Sequence, residues 1–184
     1  MAVYNPAKLA KVCASSSEVI AKPGPIAEPI VSIKTPCIGI CSTTSLGDAV
    51  CRGCKRYSFE VISWNGYDDD AKAAVLRRIE KLISQILQHK LRIFSIPNLK
   101  LGLEQANVPF DESLSPYCWL HNLLKKHHQQ IEDLSHFGVY VLPEFENLSI
   151  AALSELIEEE VLALCQAHMD RYYKLPDTSR KSAG

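Results

Sequence analysis

The chain has 184 residues, of which 47% are hydrophobic and 22% charged. That suffices for one ordinary globular core, or for a small domain beside a modest one. The 20 Lys and Arg balance 21 Asp and Glu to a net charge of −1. The basic footprint of a protein that coats DNA or RNA is therefore missing. No run of 18 apolar residues occurs, so no membrane span is expected. Lys8, Lys11, Glu18 and Lys22 interrupt the first thirty residues, which argues against a secretory signal. The expected compartment is the cytosol, where the seven cysteines would stay reduced and clustered ones are metal ligands before they are disulfides.

Residues 1–35 read as a flexible arm. Pro6, Pro23, Pro25 and Pro29, with Ser15-Ser16-Ser17, leave room for no more than a short helix over 8–20. Residues 36–66 carry four cysteines and few aliphatic side chains, so something besides hydrophobic burial must hold them. A metal is the usual answer at this size.

A helical period begins at Asp69. Asp68, Asp69 and Asp70 place acid at a helix N-terminus. Val75, Leu76, Ile79, Leu82, Ile83, Ile86 and Leu87 then recur at three- and four-residue steps, predicting a helix over 69–90. This helix closes a module spanning 36–90. Residues 91–112 stay ambiguous. Leu91–Ile96 reads as the last helical turn or as a short strand. Leu99, Leu101 and Leu103 fit a strand by alternation, or a short helix over 98–106.

Ser115 and Pro116 open a further helix to about His128. A short one over 129–137 stops at Gly138. Val139–Leu142 is apolar and ends at Pro143. Ser149 caps a last helix to about Tyr173, with Leu148 and Leu153 as a hydrophobic staple and Leu153, Leu156, Ile157, Val161, Leu164 and His168 as its inner stripe. A mostly helical region over 91–175 and a frayed tail over 176–184 complete a mainly α fold.

The chemistry concentrates in the cysteines. Cys37-Ile38-Gly39-Ile40-Cys41 and Cys51-Arg52-Gly53-Cys54 form two tight turns. Cysteines two or three residues apart can aim both thiolates at one ion, and Gly39 and Gly53 let backbone amides approach the sulfurs. Ser42–Val50 is long enough for a short hairpin with its tip at Leu46-Gly47-Asp48. Brought together, Cys37, Cys41, Cys51 and Cys54 make a Cys₄ site that suits Zn²⁺ or an iron–sulfur cluster, and thiolate count alone does not separate the two. Arg52, Lys55 and Arg56 would favour the thiolates and partly neutralise the site. The rival reading is an unliganded, reactive cysteine cluster.

Thr35-Pro36-Cys37-x3-Cys41, Cys51-Arg52-Gly53-Cys54-Lys55-Arg56 and Glu60-Val61-Ile62-Ser63-Trp64, followed by an acidic helix start, resemble the short bacterial domain-of-unknown-function family twelve eighty-nine, commonly labelled an iron–sulfur protein. The resemblance covers about residues 34–80. It implies a metal-binding Cys₄ module held by the four cysteines named above. Asn65-Gly66-Tyr67 departs from the short polar turn expected there and leaves the ligands untouched.

A Cys₄ site closed on all sides is structural, whereas catalytic zinc keeps an open position. The sequence therefore points to a binding or adaptor module with a protein partner. Electron transfer or redox sensing by an iron–sulfur cluster is the alternative, and an accessory role in an RNA-related complex the third reading. Arg52, Lys55, Arg56, Tyr57 and Trp64 could form a small basic-aromatic partner surface. The competing view packs Trp64 onto the following helix and leaves the cations solvated.

Cys118-x2-His121 and Cys165-x2-His168 share a spacing that would build a second, Cys₂His₂ metal site if their helices met. The plainer reading makes these cysteines small buried hydrophobes. Lys125 to His128 read as a solvated helix end, and Glu158-Glu159-Glu160 as a solvated face. No P-loop, G-x-G-x-x-G or G-x-S-x-G motif occurs, and no catalytic residue or small-molecule substrate is identified.

Overall fold

The computed structural model describes residues 33–173. The proposed helix over 8–20, nearly all of the N-terminal arm, and the tail over 176–184 lie outside the described residues. The architecture is mainly α, as expected. Its elements are α1 (Ser42–Leu46), α2 (Ser58–Ser63), α3 (Asp69–Gln88), β1 (Leu91–Ile93), α4 (Ile96–Gln105), α5 (Pro116–His127), β2 (Val139–Val141) and α6 (Ile150–Tyr173).

Helix α3 forms where the apolar period predicts it. Asp68 caps it by accepting a hydrogen bond from the Ala71 amide at 2.8 Å, and Asp69 and Asp70 fill its first turn. Its stripe of Val75, Ile79, Leu82, Ile83 and Leu87 is buried against α5 and α6, which also pack on each other. The Ser115 hydroxyl accepts from the Tyr117 amide at the start of α5, with Pro116 next in line. Trp119, Leu120, Leu123 and Leu124 carry α5 into the core. Ser149 accepts from the Ala152 amide at the start of α6, whose buried side includes Leu153, Ile157, Val161, Cys165 and Met169. Among the described residues no helix is long and apolar enough to cross a membrane.

The ambiguous stretch resolves into both of its options in turn. Leu91–Ile93 pairs antiparallel with Val139–Val141, in the register Leu91 to Val141 and Ile93 to Val139. Ser95 then caps α4 through the Asn98 amide. Leu99 and Leu103 are fully buried while Leu101 is exposed, so the four-residue period governs here rather than alternation. The helix expected over 129–137 is instead two 3₁₀ turns, His128–Gln130 and Leu134–Phe137, the second ending at Gly138.

Between the cysteine pairs, where a short hairpin was expected, the chain makes the one-turn helix α1. The one antiparallel bridge here, Val50 to Tyr57, spans the second pair instead. Val50 and Tyr57 join the main hydrophobic core, so this segment is held partly by burial against the helices that follow.

Candidate metal centre

The second cysteine pair sits in a closed knuckle. The Cys51 amide donates to the Arg56 carbonyl at 2.8 Å, and the Lys55 amide to the Cys51 carbonyl at 2.8 Å. The reversal needs one left-handed residue, and Lys55 adopts it with φ 61°. The first pair lies directly against this knuckle. The Arg52 amide donates to the Ser42 hydroxyl at 2.9 Å. A Cβ on Gly53 would come within 2.9 Å of Ile38 Cδ1 and 3.3 Å of the Ile40 carbonyl oxygen. Glycine at 53 therefore lets the Cys37–Cys41 turn close over the Cys51–Cys54 turn.

Cys51 and Cys54 are buried, Cys41 is half-buried and Cys37 exposed. Burial raises the Cys51 thiol, but the Cys54 amide and thiol with the Gly53 and Ser42 amides outweigh it and bring it down to about 6. Cys54 lies above its ordinary value: burial raises it and Arg56 opposes the rise. The Arg56 Nε–H points at Cys54 Sγ across 3.4 Å. Backbone amides and a guanidinium directed at two sulfurs are the donors that a metal-bound thiolate pair calls for. The donor chemistry of Cys51 and Cys54 thus fits a metal. Among the described residues, however, no three Cys, His, Asp or Glu side chains gather as a metal-binding group; the Cys37–Cys41 turn meets the knuckle through Ile38, Ile40 and the neighbouring Ser42.

The family model described as "Protein of unknown function (DUF1289)" matches residues 35–82. The protein named "Uncharacterized protein YdhL" of Escherichia coli O6:H1 is 41% identical over 61 residues, covering 33% of this chain and 70% of the relative. Its namesake in Escherichia coli K12 is 42% identical over 60 residues, covering 33% and 68%. The chain belongs to the DUF1289 family. No solved structure matches it significantly.

Within the DUF1289 segment, the expected basic-aromatic surface is corrected by burial. Lys55, Arg56, Tyr57 and Trp64 are buried, and only Arg52 is exposed, paired with Asp48 at 2.9 Å. Trp64 does pack inward, but the cations do not stay solvated. Arg56 lies over the Trp64 ring, 4.7 Å from its centre. Arg78 stacks on Tyr57 at 3.7 Å and donates to Glu60 at 2.7 Å. Glu60 also accepts from the Tyr57 amide at 2.8 Å, which fixes the start of α2.

Lys55 finds its partner far along the chain. Its ammonium donates to the Arg52 carbonyl at 2.5 Å and to Glu158 at 2.9 Å. Lys125 reaches from α5 to the Gly53 carbonyl at 3.1 Å and stands 3.5 Å from Glu158, while His121 contacts the other Glu158 oxygen. Glu158 is therefore a half-buried counter-ion, not part of a solvated face. Glu160 likewise pairs with the buried Lys90 at 2.5 Å. Sequence reading missed both; the signal was apolar residues on more than one side of α6, such as Leu162 and Leu164, which pack against the core.

The four residues of the suggested second site go to separate partners. Cys118 faces Ser84 and the Glu80 carbonyl, and His121 faces Glu158. Cys165 is buried in the core, and His168 Nδ1 lies 2.9 Å from the Tyr57 hydroxyl. Burial holds the Cys118 and Cys165 thiols up at about 11.

Proposed function

We propose that this chain is a non-catalytic metal-binding adaptor. Cys37, Cys41, Cys51 and Cys54 hold one centre, Zn²⁺ or an iron–sulfur cluster, and binding draws Cys37 and Cys41 onto the knuckle they already adjoin. The observation that carries this reading is the Cys51–Cys54 pair, with amide N–H groups and Arg56 aimed at its sulfurs and Cys51 held at about 6. Charge supports it further. Lys55, Arg56 and Lys125 surround the knuckle, with Glu158 as the carboxylate paired to the two lysines, and a thiolate centre is net negative with either metal.

For the partner, a protein fits better than RNA. Of the cations expected to meet RNA, Lys55 and Arg56 are buried and Arg52 is paired with Asp48, while Ile40 and Leu46 stand exposed beside the cysteine turns.

Metal analysis with an absorption spectrum, on protein purified without oxygen, tests the reading. About one equivalent of zinc in a colourless solution supports the structural centre. Iron with matching sulfide and visible charge-transfer bands makes the redox alternative primary. Protein that carries no metal and takes none up on reconstitution refutes both. Cys54→Ser should abolish binding, and an unchanged metal content would refute the four-ligand assignment.

A further inference from the structure

A cleft with a volume of about 300 Å³ lies between α3 and α6, with no residue of the cysteine turns in its lining. Arg78, Lys81 and Gln85 reach it from α3 at steps of three and four residues, which places them on one face. His168, Arg171 and Tyr172 face them from α6, and no carboxylate is among the lining side chains. The cleft is therefore cationic in a protein whose net charge is −1.

Arg78 supplies an independent sign that an anion belongs here. Its side chain is 12% exposed. One guanidinium nitrogen donates to Glu60, but Nε and Nη1 are buried with no acceptor among the described residues. Both nitrogens are closed off by the surrounding side chains, so an incoming oxygen reaches them once the Arg78 side chain shifts, and it then relieves the desolvation cost of two unmade donors. Positive charge is felt throughout the cleft: burial first, then Arg78, Lys81 and Arg171, hold His168 below its ordinary value.

We propose that this cleft binds a small phosphate monoester, with the phosphate held by Arg78, Lys81 and Arg171. Guanidinium forks match phosphate oxygens in pairs, and an ammonium adds a point charge. The rings of His168 and Tyr172, 4.6 Å apart, offer a face for a planar group attached to the phosphate. The volume suits one such ligand. A polymer would need a basic stripe beyond the cleft, and the balanced overall charge gives no sign of one.

The test titrates the full-length chain with inorganic phosphate and with a nucleoside 5′-monophosphate, read by calorimetry and by His168 ring signals in NMR. Both should bind at the cleft, the monophosphate more tightly. Lys81→Glu and Arg171→Glu alter exposed side chains and should leave the melting temperature unchanged while weakening both probes about tenfold or more, the loss of one charge-assisted hydrogen bond. Arg77→Glu makes the same charge change at an exposed α3 position outside the cleft and should alter affinity less than about twofold. Tyr172→Ala should remove the advantage of the monophosphate and spare inorganic phosphate. The proposal is overturned if neither probe binds. It is equally overturned if Arg77→Glu weakens binding as much as Lys81→Glu, because the charge effect is then diffuse. Tighter binding of an RNA oligonucleotide through the same residues would replace the small-molecule assignment.

Discussion

Glu158→Gln tests how the helical region supports the cysteine knuckle. In the native protein Glu158 accepts from Lys55 at 2.9 Å; the Lys55 side chain is 3% exposed and that of Glu158 27%. Glutamine keeps an acceptor oxygen but removes the charge that offsets Lys55 and Lys125. Removing one partner of a fully buried pair costs about 3–5 kcal/mol. Lys55 retains the Arg52 carbonyl and Glu158 is partly solvated, so the expected loss is about 2–3 kcal/mol, a fall in melting temperature of roughly 5–10 °C for a protein of this size. Urea unfolding of wild type and variant, matched in metal content, measures it. The pH dependence gives a sharper check. Burial raises the Glu158 carboxyl, but His121 and Lys55 prevail and hold it far below its ordinary 4.5. A depressed folded value means the contribution is fully present above pH 4.5 and lost as pH falls toward that folded value. Below pH 4.5 the wild type should therefore lose stability relative to the variant by about 1.4 kcal/mol per pH unit. A gap under about 0.5 kcal/mol at pH 7, or one that stays constant from pH 5 to pH 3, would refute the counter-ion role.

Gly138→Ala should destabilise by about 2 kcal/mol or more: φ is +68° and a Cβ there would collide with the Ser95 carbonyl oxygen. An unchanged urea midpoint would show that the β2 approach can relax. Cys165, buried, and Cys118, half-buried, have thiols near 11 and should resist iodoacetamide at pH 8 in the folded protein, as mass spectrometry of digests would report. Their replacement by alanine should leave metal stoichiometry intact, and loss of one equivalent would revive the Cys₂His₂ site. Leu123→Ala, at a fully buried α5 position, should cost about 2–5 kcal/mol; a smaller loss by urea unfolding would mean that the core collapses around the site.

What could be read in advance were the features that depend on local physics. The α3 stripe, its acidic start and the Ser115 and Ser149 caps all rest on residues within one or two turns of each other, and those helices stand where expected. Residues 96–105 satisfied two periods at once. What separates them is tertiary: Gly102 packs so closely against Phe137 that a Cβ would overlap the ring, and this requires the helical face. The cysteine spacing predicted two tight turns, and the structure places those turns in contact through Ser42 and Gly53. The environment of the nearby cations was not legible. Lys55, Arg56 and Trp64 resemble a recognition surface in isolation. Their burial depends on Glu158, 103 positions from Lys55, and on a ring of partners that no local pattern announces.

The match to the DUF1289 family ends at residue 82, inside α3, yet much of what holds the matched segment lies beyond it. Glu158 neutralises Lys55, His168 meets the Tyr57 hydroxyl, and Lys125 takes the Gly53 carbonyl. A cysteine segment too poor in aliphatic residues to fold alone has two sources of order, a metal or a scaffold. Here Val50 and Tyr57 are already part of a core shared with α3, α5 and α6. The scaffold thus fixes the Cys51–Cys54 turn directly. The Cys37–Cys41 turn is joined more lightly, through Ser42 and the Ile38 and Ile40 contacts at Gly53. A metal acting on this arrangement would order the outer turn rather than the fold. The long helical extension is accordingly what lets the knuckle keep its shape while the residues beside it, Ile38, Ile40 and Leu46, remain exposed.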